Sequence, residues 1–363
     1  MPDTSGEALT SMIAETAARL FADLEKNALA AIPRHPGDGA IAWDGTIWDA
    51  VEEMGFPLAL LTEDAGGFDL DPVTALGLVR QAAGAVVSLP LGETMLAQYV
   101  LAHAGLATVT GPAALVTGLT ITTDGAGWRV QGNAPDVAWG RALQGLVAVD
   151  PAGRIARLDG NVWSATQGQN IAGEPRDALR VDLYLGPDQV VQTALTPDLV
   201  QGFGALIRAQ SLAGALERVL DQTIGYANDR VQFGRPLARF QAIQHNIAIM
   251  ATNTAAARAG ADMAAAALPH AHTDAALFLR NVAAAKLRAG EAAGLCAALA
   301  HQIHGAIGVT REYALHPLTT RLWAWRDEYG AERAWADALG AQVLRRGHQG
   351  VWPCLTTTEE AQI

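Results

Sequence analysis

Cysteine is nearly missing from this chain: Cys296 and Cys354 are the only two among 363 residues. Nothing around either has the spacing of metal ligands, so neither a disulfide-stapled scaffold nor a structural metal site is expected. A reduced, cytoplasmic setting is the simplest expectation. Positive charge is also short, with 25 Lys and Arg against 37 Asp and Glu and a formal net charge of −12. That balance argues against a nucleic-acid partner, because phosphate backbones are held by clustered Lys and Arg. It does not exclude an anionic small ligand, since a few local arginines outweigh a distant acidic surface. No apolar run reaches the roughly 20 residues that span a bilayer, so no membrane association is expected. The opening MPDTSGEALTSMIAE is acidic and polar, unlike a signal peptide or a basic transit peptide. No internal repeat is evident.

What is there is a globular composition, half of it hydrophobic, in a chain long enough for two or three domains. Three regions differ in pattern. Residues 1–112 read as an all-α domain: EALTSMIAETAARLFADLEKNA has apolar residues three and four apart, and TIWDAVEEMGF follows the capping candidates Asp44, Gly45 and Thr46. Residues 113–195 switch to short β-prone runs separated by Asp124-Gly125, Asp150-Pro151 and Asp159-Gly160, which are placed as hairpin turns in a small antiparallel barrel or sandwich. Residues 196–363 return to helix. Four Ala- and Leu-rich segments there, the first ending at Arg230 and the last beginning near Ala331, predict a bundle with close helix spacing. The fold class expected is α+β multidomain: helices, an antiparallel β domain, then a helix bundle.

Inside the bundle the run DRVQFGRPLARFQAIQH, residues 229–245, is conspicuously polar. Arg230 reads either as a solvated arginine at a helix end or as a guanidinium that grips an anion with parallel hydrogen bonds. Gln241 and Gln244 read as polar-face residues or as donors and acceptors to a ligand. A second run, QIHGAIGVTREYALHPLTTR, carries Gly305 and Gly308, which either end a helix or let backbone N–H groups approach a ligand closely. His304 reads as a packing or hydrogen-bonding residue.

Together these runs resemble the acyl-CoA dehydrogenase family. YANDRVQFGRPLARFQAIQHNIAIM is similar to its Tyr-x3-Arg-x-Gln-Phe-Gly-x-Pro-Leu-x2-Phe-Gln-x2-Gln-His run, and QIHGAIG to its Gln-x-His-Gly-Gly-x-Gly segment. LTEDAGGFDLD and GWRVQGNAPDVAWG add weaker matches, so the resemblance extends over essentially the whole chain. It implies a helical domain, a β domain and a C-terminal four-helix bundle, with FAD between β domain and bundle, in a dimer or tetramer. Carried over by position, Arg230, Gln232 and Phe233 would meet the flavin pyrophosphate and adenosine, with Gln241 beside them. Gln302, Ile303, Gly305 and Ala306 would contact the same cofactor from a neighbouring subunit's motif.

The resemblance also implies a reaction: a carboxylate removes the α-proton of an acyl-CoA thioester while the β-hydrogen leaves as hydride to the flavin. Such a base needs a pocket apolar enough to raise its proton affinity. Three departures fall at this reacting end. Counted from Gln302, the usual base position holds Tyr329; a one-residue shift brings Glu328 there, although one step on a continuing helix turns a side chain by about 100°. Glu328 and Asp327 read either as base candidates or as an exposed charged turn. The family's alternative base position falls on Gly204, with Ala205 at its neighbouring arginine. The Thr-Glu-Pro…Gly-Ser-Asp loop that touches the flavin ring has no counterpart in PAALVTGLTITTDGAGW. Two functions are therefore expected in order. One is a FAD-dependent acyl-CoA dehydrogenase with Glu328 as its catalytic residue, passing electrons to an electron-transfer flavoprotein in fatty acid or steroid catabolism. The other is a non-catalytic partner subunit in a hetero-tetramer with a second chain of this kind, of the sort associated with steroid side chains. Another flavin enzyme on the same fold, a nitroalkane oxidase or a monooxygenase, is the third.

Overall fold

The 3.6-residue apolar spacing of the N-terminal region yields four helices, α1 (Thr4–Ala30), α2 (Gly45–Glu53), α3 (Pro72–Gly84) and α4 (Leu91–His103). The computed structural model describes residues 4–32, 39–160, 162–310 and 313–356. They form two compact units, residues 1–203 and 204–363. Asp44 caps α2 as expected, accepting from the Thr46 N–H at 2.9 Å, and Asp71 caps α3, whose first position is Pro72. Helix α4 is buried on every face from Leu91 to Leu101. Its polar residues are therefore all committed: Thr94 Oγ1 accepts from Ala113 N at 3.0 Å, and Gln98 Oε1 accepts from Val109 N at 2.9 Å. These bonds fasten α4 to the segment that enters the first strand.

Eight strands follow among the described residues of this unit. β1 (Ala113–Val116), β4 (Gly145–Val149), β5 (Arg154–Asp159) and β8 (Val190–Gln192) make one sheet. β2 (Leu119–Asp124), β3 (Gly127–Ala138), β7 (Arg176–Leu185) and β6 (Trp163–Thr166) make the other, in the order β2-β3-β7-β6. Inward residues of both, among them Ile121, Val130, Leu146, Ala156, Leu179 and Val181, form a shared core. The turns at Asp124-Gly125 and Asp150-Pro151 are hairpins. Asp159-Gly160 is not, because the next strand, β6, pairs with β7 in the opposite sheet. One pair, β1 with β4, is parallel rather than antiparallel. The cause is local: β1 passes through Thr117 and Gly118 alone into the second sheet, so its sheet-mate arrives only after a return crossing.

Helix α5 (Pro197–Asp229) begins in the first unit and continues as the first helix of the second. Among the described residues the bundle continues with α6 (Gln241–Ala266), α7 (Ala275–His304) and the segment α9 (Glu332–Thr356), whose helix breaks at Gly347 (φ 67°, ψ 178°); these match the helices expected, and α8 (Leu315–Asp327) is an addition. The α8 sequence LHPLTTRLWAW hides its helical character behind Pro317, which the first turn tolerates because its missing N–H has no intrahelical partner to lose. Helix α7 lies at the centre, with α6, α8 and α9 packed on it. It is the one described helix long and apolar enough to cross a membrane by length and composition, a property that a core helix shares. Ala257, Ala261, Ala285, Ala289 and Ala292 are fully buried, and a Cβ on Gly260 would stand 3.4 Å from Ala285 Cα, so small side chains set the close approach of α6 and α7. Gln210 Nε2 donates to the Ala261 carbonyl at 3.0 Å, joining α5 to α6.

Candidate functional site

The polar run after α5 folds into a small protruding hairpin. The Arg230 N–H still donates to the Tyr226 carbonyl at 2.9 Å, closing the last turn of the helix. Val231–Gln232 and Arg235–Pro236 then pair as two-residue strands, β9 and β10, around Phe233-Gly234. Both turn residues have positive φ, 52° and 79°, the geometry of a type I′ turn. Glycine adopts it freely, whereas for a phenylalanine it costs about 1 kcal/mol or more. That strained ring is 91% exposed. Behind it the Arg235 guanidinium sits 4.2 Å over the Phe240 ring, a cation–π contact. Arg230, Gln232 and Gln241 are exposed. Gln241 opens α6, whose N-cap Phe240 has no side-chain acceptor for the first N–H groups.

The second run closes α7. Gly305 has φ 66° and ψ −145°, a conformation essentially restricted to glycine, and a Cβ added there would meet nothing within 4 Å. Gln302, Gly305 and Ala306 are exposed, while the Ile303 side chain is buried in the bundle, leaving its backbone as the part free to meet a ligand. Gly308 serves packing, since a Cβ there would lie 2.8 Å from His304 Cβ. The two runs meet within one chain. The Tyr226 ring stacks on His304 at 4.4 Å and 24°, and its hydroxyl donates to the His304 carbonyl at 3.2 Å.

The donor set fits an adenosine-diphosphate group such as the corresponding half of FAD. From Arg230 to Ala261 there is no Asp or Glu, while Arg230, Arg235, Arg239 and Arg258 lie in that span of a chain with net charge −12. Exposed guanidinium and amide groups suit a diphosphate, and an exposed aromatic ring suits a base.

The turn between α8 and α9 is built in the opposite way. Lys286, in the middle of α7, is fully buried, and its ammonium donates to the carbonyls of Arg326 at 2.6 Å and Gly330 at 2.8 Å. Burial pushes its pKa down to about 8, against the attraction of Glu332, Glu328 and Asp327. Trp335 Nε1 donates to the Tyr329 carbonyl at 3.0 Å, and Arg326 Nε donates to Glu332. Within this frame Tyr329 takes a left-handed conformation, φ 55°. Its ring lies over Gly204, so that a Cβ on Gly204 would fall inside the ring. Glu328 Oε2 accepts from Arg208 Nε at 2.5 Å, with side-chain exposures of 16% and 5%. Asp327 is exposed. Only Asp327, then, belongs to an exposed charged turn; its neighbour is an interior ion pair.

Arg208, Lys286 and Tyr226 carry this geometry and were not singled out as site residues by sequence. Lys286 did have a signal: it is a cation directly after Ala285, on the Ala-rich buried stripe of α7. Arg208 had none, because an arginine within ALIRAQSLAG is compatible with any helix face.

Comparison with known proteins agrees with this architecture. The family described as acyl-CoA dehydrogenase, C-terminal domain, matches residues 203–345. Acyl-CoA dehydrogenase IpdE2 of Mycobacterium tuberculosis is 30% identical over 345 residues, spanning 91% of this chain and 96% of that protein. Among solved structures, a variant of the Tcur3481-Tcur3483 steroid ACAD superimposes with a TM-score of 0.79 at 22% identity, covering 94% of this chain and 99% of that one. The ChsE4-ChsE5 complex from Mycobacterium tuberculosis gives 0.79 at 18% identity, with coverages of 95% and 98%. At those identities the structures bear on the fold, and the full-length relative bears on ancestry. This chain belongs to the acyl-CoA dehydrogenase family, whose members are flavoprotein oxidoreductases.

Proposed function

We propose that this chain is a partner subunit of a FAD-dependent acyl-CoA dehydrogenase assembly, contributing the cofactor clamp and leaving proton abstraction to a second chain of the same family. One observation carries this reading: both positions at which the resemblance places the base are filled without a carboxylate and pack on each other, the Tyr329 ring over Gly204. Arg230 would hold the diphosphate through its guanidinium, Gln232, Gln241 and Gln302 would serve the ribose and adenine edges, Phe233 would stack on the base, and Gly305 and Ala306 would present backbone donors. Bound FAD would supply the hydride acceptor for desaturating an acyl-CoA thioester, with an electron-transfer flavoprotein as the onward acceptor. Two solved relatives, the Tcur3481-Tcur3483 steroid ACAD and the ChsE4-ChsE5 complex, support a two-chain assembly, and the first supports a steroid substrate class.

The competing reading is a self-sufficient dehydrogenase with Glu328 as base. Its support is that Glu328 is one residue from the expected position and largely shielded from water. Against it, the Glu328 oxygen nearest Arg208 already accepts a charge-assisted hydrogen bond, so the lone pairs a base uses are partly committed. The purified chain decides between them. Partner function predicts that the chain alone does not bleach flavin when acyl-CoA thioesters are added anaerobically, and gains bleaching only when co-expressed with a second acyl-CoA dehydrogenase-like chain. In that assembly Glu328→Gln leaves turnover unchanged. Bleaching by the chain alone, abolished in Glu328→Gln, would overturn the proposal.

A further inference from the structure

The clamp proposed above takes both of its pieces from this one chain, because the two runs touch within it, in place of the neighbouring-subunit placement that the resemblance implied for the second run; something must hold the two pieces in register. Tyr226 and His304 are 78 residues apart in sequence. Tyr226 accepts the Arg230 N–H, so its position sets where the guanidinium leaves the helix. His304 immediately precedes Gly305, so its position sets where the second loop begins. Between them run a ring stack at 4.4 Å and a hydrogen bond from the tyrosine hydroxyl to the His304 carbonyl. Among the described residues, no other hydrogen bond or ring contact joins residues 226–241 to residues 302–306.

The histidine end of this contact is itself immobilised. His304 is 3% exposed, and its Nδ1 lies 2.8 Å from the Ala300 carbonyl, which assigns the proton to Nδ1 and leaves Nε2 bare. That Nε2 has no partner among the described residues. A buried acceptor with no donor among the described residues carries a cost that a space-filling side chain would not. Phenylalanine or leucine would fill the same volume. The Tyr313 ring, 5.3 Å from His304 and 6.3 Å from Tyr226, closes the third side. Burial lowers the His304 pKa below the ordinary histidine value.

Resting on the clamp reading, we infer that Tyr226 and His304 are positioning residues that lock the two halves of the cofactor clamp in register. Donors on separate loops act as one site only if their spacing is held to a fraction of an ångström, and removal of the lock lets each half bind independently and weakly. The effect belongs to cofactor affinity, because neither side chain needs to touch the ligand.

The test uses the full chain in whichever assembly holds flavin, with FAD dissociation followed by flavin fluorescence and thermal unfolding measured in parallel. Arg230→Ala is the control for the clamp itself, expected to weaken FAD by tenfold or more from the loss of a charged hydrogen-bond donor, on the order expected for such groups. Tyr226→Phe keeps the stack and loses the hydroxyl; FAD weakens about three- to tenfold with little change in Tm. Tyr226→Leu loses both and weakens binding further. The decisive readout is coupling: Arg230→Ala and Gln302→Ala are non-additive in the native background and additive in Tyr226→Leu. If Arg230→Ala weakens FAD while both Tyr226 variants bind it normally, the lock is wrong and the clamp stands. If Arg230→Ala also binds FAD normally, the clamp reading falls and the lock falls with it.

Discussion

Two stretches of one helix have been treated in opposite ways. At Arg230 the end of α5 opens into exposed guanidinium, amide and aromatic groups, with one ring held in a strained conformation in water. At Arg208, roughly 33 Å earlier at 1.5 Å rise per residue, the same helix meets a turn in which every described polar anchor is already engaged. Lys286 holds two carbonyls, Trp335 a third, Arg208 holds Glu328, and Tyr329 covers Gly204. Open donors are what the proposed clamp requires; satisfied donors mark a structure complete in itself. The lesson is that a family motif is a statement about one end of a site, and the ends can diverge.

Several measurements can break that contrast, the largest effect first. Arg208→Ala should destabilise the fold by about 3–5 kcal/mol, because Glu328 loses the guanidinium paired with it in a shielded setting; chemical denaturation reads this directly. A drop below about 1 kcal/mol would show that the pair is not the closed structure described here.

Lys286 makes a pH prediction. Its folded pKa, about 8, lies below the ordinary 10.5, so between these values the unfolded chain binds more protons than the folded one. Stability contributed by this residue therefore rises as pH increases from about 8 towards 10.5, by an amount on the order of 3 kcal/mol. Comparing denaturation at both ends of that window for native protein and Lys286→Met should show the slope only in the native protein.

Gly204→Leu should cost about 1–3 kcal/mol by overpacking against Tyr329, and Tyr329→Gly in the same chain should recover part of it. Independent, additive costs would show that the ring does not occupy that space. The smallest effect is expected at the open end. Arg230→Ala should change unfolding stability by less than about 0.5 kcal/mol while weakening FAD binding, since an exposed side chain unpaired among the described residues contributes little to folding.

Much of the fold was legible because periodicity is a local property. The long helices of the bundle, the capping of α2 by Asp44 and the hairpins at Asp124-Gly125 and Asp150-Pro151 follow from spacing and turn chemistry alone. Helix α8 was not legible, since its proline and threonines weaken the pattern, and Asp159-Gly160 looks like a hairpin because turn residues do not say which strand comes next. At the candidate site, Arg230, Gln241 and Gln302 were assigned by resemblance, because each lies in a run of residues that is contiguous in sequence. Arg208 and Lys286 escaped because their meaning lies in partners 120 and 40 residues away.

By itself, then, the sequence determined the order of helical, β and helical regions, the polar interruption after α5, and the absence of a carboxylate at Gly204 and Tyr329. These are properties of residue type and spacing, which no packing arrangement can alter. Only the tertiary structure decided that Tyr329 lies over Gly204, that Glu328 is shielded and paired instead of exposed, and that the two clamp runs meet through Tyr226 and His304. Burial and hydrogen-bond pairing are relations between distant segments, and they exist only once the helices have packed.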